Sequence, residues 1–455
     1  MKFRKFGKTV LTAALSTAII FSLSSCVRSF TVGYIYVTGT TTASPSGNGI
    51  ITGLNINNNT GQLKILHGFP TGSGGSNPIR AVLLAGNNFV YVLNAGTNST
   101  GGSTCTVDDP CTNANITEFA VGGNGILTYQ ETFYTQGFNP KRLLEDTSGT
   151  HLFVLDDNAP GLTNTKAPST ASNPNSYCAA VVTGATTCGD ITVFSVNATT
   201  GRLTLVTNAQ LTSSQGTQVT YFPVPANPVD FAFTTSYIMT VSGAAGTPQI
   251  VYPYVYNSST GALTLSQSTP QSINGLTSAV ENTTGIVYAG GKVYILSNDL
   301  YNSSSAAGGQ VLTFTIGSNG SLQALSTGGI TPDDAAETDP VWLILEAKGA
   351  FAYLANQAGS SSSNAAGITI YSVDPTDGAL TEAPGSPVPN ASVGAGPVCL
   401  LEDPSDQYIY AANGSDSTVT GHRVDPKSGQ LSNLSIPSVT LAGPNTWCIV
   451  DGRTN

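Results

Sequence analysis

Charge is what this chain of 455 residues has least of. Only 9% of it is Asp, Glu, Lys or Arg, and the formal net charge is −10. Four of its 16 cations, Lys2, Arg4, Lys5 and Lys8, crowd the start with no acid among them. The remainder is an acidic surface with no basic stripe, which excludes recognition of nucleic-acid phosphates. Histidine is scarce as well: His67, His151 and His422 are the only three. No His/Cys group has zinc spacing and no acidic run has that of an EF-hand loop, so no metal and no cofactor is expected. The apolar run Val10–Leu23 is too short to span a bilayer. Gly-x-Ser-x-Gly, Gly-x-Gly-x-x-Gly and phosphate-loop patterns are all missing, which removes the serine-elbow hydrolases and the common nucleotide sites.

What is abundant is turn and strand chemistry, with 50 glycines among many Ser, Thr and Asn. The stretch GITIYSVDPTDGAL, followed after a polar loop by GPVCLLEDPSDQYIYAANG, reads as four short strands. Strand A is PVCLLED, B is QYIYAAN, C is a run like ITIYSVD, and D follows a glycine. That glycine, with leucine two residues on, recurs seven times: Gly61/Leu63, Gly125/Leu127, Gly201/Leu203, Gly261/Leu263, Gly320/Leu322, Gly378/Leu380 and Gly429/Leu431. A strand-like run precedes each copy. Such repetition predicts an all-β propeller of seven four-stranded antiparallel blades.

The two ends complete each other. The chain after its leader opens with a B-like strand, FTVGYIYVTG, and closes with an A-like strand, GPNTWCIVDG. Pairing Trp447–Asp451 with Tyr34–Thr38 would close the ring and remove an exposed edge. The expected organisation is a signal peptide over 1–25, a short tether over 26–32 and one propeller domain over 33–455. The A–B and C–D turns are short, whereas the long B–C and D–A connections fall on one face. That face is the expected recognition surface.

Leu23-Ser24-Ser25-Cys26 resembles a bacterial lipobox, which implies cleavage before Cys26 and acylation of it. Acyl chains would tether the protein to a lipid bilayer of the cell envelope, and Val27 is compatible with outer-membrane sorting. Six further cysteines suit an oxidising compartment. Cys105/Cys111 and Cys178/Cys188 are expected to bridge locally. Cys399 and Cys448 lie in neighbouring A strands with opposite parity, so either a bridge or two buried thiols would fit.

The unit VDPTDGAL or VDPKSGQL, a Pro-Val opening strand A and YIYAAN in strand B resemble the seven-bladed lactonase-type propellers, the 6-phosphogluconolactonase-like and carboxymuconate-cyclase-like proteins. The resemblance spans about Tyr34 to Asp451. It implies a hydrolase of sugar lactones or related carboxylated lactones, with His, Glu and Arg at a cleft around the ring axis. Where family members often carry His-Pro before strand A, this chain has Asn77-Pro78, Asn139-Pro140, Asn227-Pro228 and Asp339-Pro340. Two residues past the proline come Arg80, Arg142, Asp230, Trp342 and Cys399; Trp447 lies one step further along in its own copy. Arg80 and Arg142 are candidate clamps for a carboxylate or phosphate. Asp230, Glu337 and Asp339 are candidate general bases. Trp342 and Trp447 are candidate stacking surfaces for a ring. The alternative is a non-catalytic, monomeric module whose long-loop face binds a glycan or an envelope protein.

Overall fold

In the computed structural model seven antiparallel blade sheets follow one another around an axis, and a two-stranded sheet, Asn208–Thr212 with Gln218–Val219, sits between the two segments of strand D in the third. The structure describes residues 30–452 apart from 42–47, 85, 87, 213–215, 217, 266–269, 276–278, 300–308, 334–338 and 358–366. The leader and Cys26 lie outside the described residues, as does Glu337. The A strands, nearest the axis, are Asn445–Asp451 in blade 1, then Pro78–Leu83, Phe138–Glu145, Pro228–Phe233, Thr283–Ala289, Pro340–Leu345 and Pro397–Glu402 in blades 2 to 7. Blade 1 takes its A strand from the C-terminus: Tyr34 pairs with Asp451 and Thr38 with Trp447, antiparallel, as the sequence predicts. Strand D is broken in blades 1 and 3 to 6, where a second short segment pairs with strand C beyond the first.

Each B strand is flanked by A and C within its own sheet and covered on both faces by the adjacent blades. Its sequence is accordingly a nearly continuous apolar run, such as FVYVLN at Phe89–Asn94 or YIYAAN at Tyr408–Asn413, and every residue of these two is buried. One position in strand B links neighbouring blades. The hydroxyls of Tyr36, Tyr294, Tyr353 and Tyr410 donate to the carbonyls of Gly125, Gly378, Gly429 and Gly61, at 2.9, 3.1, 2.9 and 2.6 Å. Tyr91 does the same to Gly201. Phe153 and Met239 hold this position in blades 3 and 4 and have no hydroxyl to give.

These acceptors are the repeated glycines found in the sequence. All seven adopt a left-handed φ, between +66° and +78°. A Cβ on any of them would strike a B-strand side chain of the preceding blade, except at Gly201 and Gly320, where C-strand atoms of that blade lie nearer still. At Gly61 the obstruction is Tyr408, at Gly125 it is Tyr34, and at Gly261 it is His151. The Gly-x-Leu signature is therefore a record of blade-to-blade packing. His151 belongs to this packing: its Nδ1 lies 3.4 Å from Asp146 Oδ2 and 3.1 Å from the Tyr256 hydroxyl of blade 4. His422 is fully buried in strand C, and burial lowers its pKa to about 4, so it is neutral. His67 falls in the turn after the first segment of strand D rather than inside it.

All three cysteine pairs are bridged: Cys105–Cys111, Cys178–Cys188 and Cys399–Cys448. The last links blade 7 to blade 1, next to the seam where the chain closes on itself.

Candidate functional site

The site is set by a bulge that every blade shares. The register between strands A and B shifts just after the first A-strand pair: Pro78 faces Asn94 and Arg80 faces Leu93, Pro340 faces Asn356 and Trp342 faces Ala355. The residue before the proline is left-handed at Asn77, Asn139, Asn227, Asp339 and Gly396, a conformation that Asn, Asp and Gly tolerate best. The bulge turns one position per blade toward the axis, with a side chain in six blades and glycine in blade 5. In chain order of blades these are Trp447, Arg80, Arg142, Asp230, Gly285, Trp342 and Cys399. In blade 1 it is Asn445, not Pro444, that takes the proline's place in the register, opposite Gly39. Trp447 thus belongs to the ring itself and is not one step beyond it.

Within the ring, Arg142 Nε donates to Asp230 Oδ1 at 2.8 Å. Asp230 also accepts the backbone N–H of Phe231 at 2.9 Å and that of Ile286, on blade 5, at 3.2 Å. Gly285 makes room for this: a Cβ there would lie 3.3 Å from Asp230 Oδ2. Arg80 is placed differently. Its guanidinium carbon lies 3.3 Å from the ring centroid of Trp447 and 5.6 Å from that of Trp342. The two indoles meet edge to face, 4.6 Å apart. Only 6% of Arg80 is exposed, and it makes no ion pair with any described residue. Burial, and after it the charge of Arg142, pull its pKa well below the ordinary arginine value; Asp230 offsets part of this. Two cations share one carboxylate, so the ring carries an unbalanced positive charge.

The ring forms one end of an axial cavity of about 780 Å³. From there the wall runs along the A strands to the A–B turn of blade 3 at Asp146 and Thr147. No described residue of a B–C or D–A connection lines it. The cavity thus lies apart from the long-loop face expected as the recognition surface. The ring side chains stand at the loop end of the A strands, and the space lies beyond them toward the short turns. Asp339, expected as a base, is not in the wall either. It is the left-handed residue before Pro340, and its Oδ1 accepts from Asn298 Nδ2 at 2.5 Å. The other ring candidates, Arg80, Arg142, Asp230, Trp342 and Trp447, are brought together, and Cys399 and Cys448 join them in the wall.

Sequence reasoning missed Glu145. It lines the cavity three residues past Arg142, and its Oε2 is buried without a hydrogen-bond partner among the described residues. Burial, with the charge of Asp146 adding to it, raises its pKa to about 8. At neutral pH it therefore carries a proton. The available signal was an acid at the end of the A strand, where four other copies carry Leu83, Phe233, Leu345 and Val450.

The description "Lactonase, 7-bladed beta-propeller" is that of a family model matching residues 307–450 of this chain. The resemblance to the lactonase-type propellers holds. Among solved structures, a candidate 6-phosphogluconolactonase from Bacteroides uniformis aligns with 92% of this chain and 99% of its own, at TM-score 0.58 and 16% identity. The periplasmic gluconolactonase of Pseudomonas aeruginosa aligns with 92% of this chain and 99% of its own, at 0.57 and 17%. At that identity these structures establish a common fold. No curated protein matches the chain.

Proposed function

We propose that this lactonase-like propeller binds a lactone, or the hydroxy acid it opens to, in the axial cavity and hydrolyses it as a carboxylic ester. Sugar lactones are the first substrates to try, since the neighbouring folds carry 6-phosphogluconolactonase and gluconolactonase names. One observation carries the reading: a buried guanidinium, Arg80, lines the cavity with no ion pair to any described residue and with an indole beneath it. Water attack on a lactone carbonyl builds a tetrahedral oxyanion and then a carboxylate. A fixed guanidinium in a low-dielectric site stabilises both. Glu145, protonated at neutrality, lines the same cavity and in this reading gives its proton to the departing ring oxygen.

A second reading, binding without catalysis, has an observation of its own. Both oxygens of Asp230 are committed, to Arg142 and to two backbone N–H groups. A carboxylate so engaged is a poor base. The assay is turnover of a panel of aldonolactones by purified protein. Hydrolysis above the spontaneous rate, lost in Arg80→Ala and Arg142→Ala, supports the enzyme. Turnover at the spontaneous rate, or unchanged in both variants, leaves only binding.

We propose further that the protein is exported and acylated at Cys26. Its three disulfides support the exported reading. Cys26→Ser should move the protein from the membrane to the soluble fraction and abolish incorporation of labelled fatty acid; retention with label would refute acylation there.

A further inference from the structure

Alternation along a strand puts residues i and i+2 on the same side. Two residues past the ring, the A strands carry Val82, Leu144, Val287, Ile344, Leu401 and Ile449, with Ala232 as the seventh. All of them line the cavity. Register confirms that they form one layer: each stands opposite the aromatic or Met position of strand B, Val82 facing Tyr91, Ile344 facing Tyr353 and Ile449 facing Tyr36. Leu144, Val287, Ile344 and Ile449 are only half-buried, so this layer is not sealed against its neighbours. The cavity therefore has a cationic, aromatic end, an aliphatic layer next to it, and polar groups, Glu145, Asp146, Thr147 and Tyr288, only beyond that layer.

The end and the layer ask different things of a ligand. Arg80 asks for an anion. The aliphatic layer offers hydroxyl groups no side-chain partner, and burying a hydroxyl without one is unfavourable. A sugar acid meets the first condition and fails the second along its length. An alkyl or aryl carboxylate meets both.

We propose that the cavity takes an organic monocarboxylate with an apolar body, its carboxylate on Arg80 and its alkyl or aryl part against the layer of Val82, Leu144, Val287, Ile344, Leu401 and Ile449. In the lactonase reading, this is the hydroxy acid opened from an alkyl-substituted lactone. The inference rests on the axial cavity being the ligand site and does not require hydrolysis.

Trp342 and Trp447 are the only two tryptophans of the chain and both flank Arg80, so tryptophan emission, excited beyond the tyrosine absorption band, reports this site alone. The test is titration of the purified protein with butanoate, hexanoate, octanoate, octanamide and gluconate. Octanoate should bind saturably, with affinity rising about 3- to 4-fold per methylene from butanoate upward. Octanamide should bind at least about tenfold more weakly, through loss of the charge-assisted contact. Gluconate should give no saturable change. Arg80→Gln should bring octanoate down to the level of octanamide. Ile344→Thr, which leaves the ring intact, should weaken octanoate and leave butanoate alone, so the proposal stays testable if the arginine variant fails to fold. Affinity independent of chain length, or saturation by gluconate but not octanoate, overturns it. A parallel assay with gluconolactone and γ-decanolactone separates the two readings. Octanoate binding without turnover of either lactone keeps this inference and ends the hydrolytic one. Gluconolactone turnover without octanoate binding does the reverse.

Discussion

Replacing Gly61 by Ala tests the blade contact that explains the sequence repeat. Gly61 has φ +66°, and a Cβ there would lie 2.5 Å from Cδ1 of Tyr408, across the seam between blades 7 and 1. Its carbonyl also accepts the Tyr410 hydroxyl at 2.6 Å. Gly349 is the control: its φ is +69°, and nothing lies within 4 Å of its would-be Cβ. Both substitutions carry the left-handed penalty of an L-residue, about 1 kcal/mol. Only Gly61→Ala adds overpacking against a buried aromatic, about 1–3 kcal/mol. It also endangers a buried hydrogen bond worth about 1 kcal/mol. The expectation is a loss of about 1 kcal/mol for Gly349→Ala and about 3–4 kcal/mol for Gly61→Ala. Equilibrium urea unfolding measures both, with the slope checked for constancy. Two variants within about 0.5 kcal/mol of each other would show that the glycine repeat reflects backbone conformation alone, and the packing argument would fail.

The Cys399–Cys448 bridge spans 49 residues of sequence, and loop-closure entropy assigns it about 4 kcal/mol. The Cys399→Ala/Cys448→Ala pair should lose stability of that order in urea; a loss below about 1 kcal/mol would mean that strand pairing alone closes the ring. Tyr353→Phe strips the buried Gly429 carbonyl of its donor and should cost about 1–2 kcal/mol, read as a lowered thermal midpoint. An unchanged midpoint would make the tyrosine position a matter of ring packing only. The carboxyl of Glu145, held at about 8 against an ordinary 4.5, binds its proton more tightly in the folded state than in the unfolded one. Stability should therefore fall as pH rises from about 4.5 to about 8. Glu145→Gln should flatten that decline and overtake the wild type within this window, before pH of about 8; a parallel profile would contradict it. Asp156 and Asp190, fully buried and both pushed upward by burial, contribute to the same slope, so Asp190→Asn is run beside it.

The fold was legible because its rules repeat. Seven glycines announce seven C–D turns, and a chain that begins on a B strand and ends on an A strand must pair its ends or leave an edge open. Three cysteine pairs fitted that frame, two by proximity and the third by strand parity. The site was legible only in part. Proline marked the ring position in five blades, but blade 5 has Thr283 there, and Gly285 passed unnoticed. In blade 1 the proline sits one residue too early, and only the pairing of Asn445 with Gly39 puts Trp447 in the ring. The cavity was not legible for a related reason. Loop length tells where insertion is tolerated, whereas cavity position depends on which side of the ring the side chains leave empty.

What separates scaffold from site here is where the sevenfold symmetry fails. Two residues past the ring, every blade has an aliphatic side chain, and the facing B-strand position is Tyr, Phe or Met. At the ring itself the order is Trp, Arg, Arg, Asp, Gly, Trp, Cys. Gly285 makes room for Asp230 and Cys399 is bridged to Cys448, but the bulge that all blades share supplies no reason for the other five. The outcome is a directed field across the channel: cations on blades 2 and 3, a carboxylate on blade 4, indoles on blades 6 and 1. The pairing of Arg142 with Asp230 cancels one cation on the blade 4 side and leaves Arg80 uncancelled on the indole side. An anion entering the cavity is drawn to one azimuth, where its body must lie along Trp447 and the aliphatic layer beneath it. The asymmetry therefore fixes the orientation of a ligand as well as its charge.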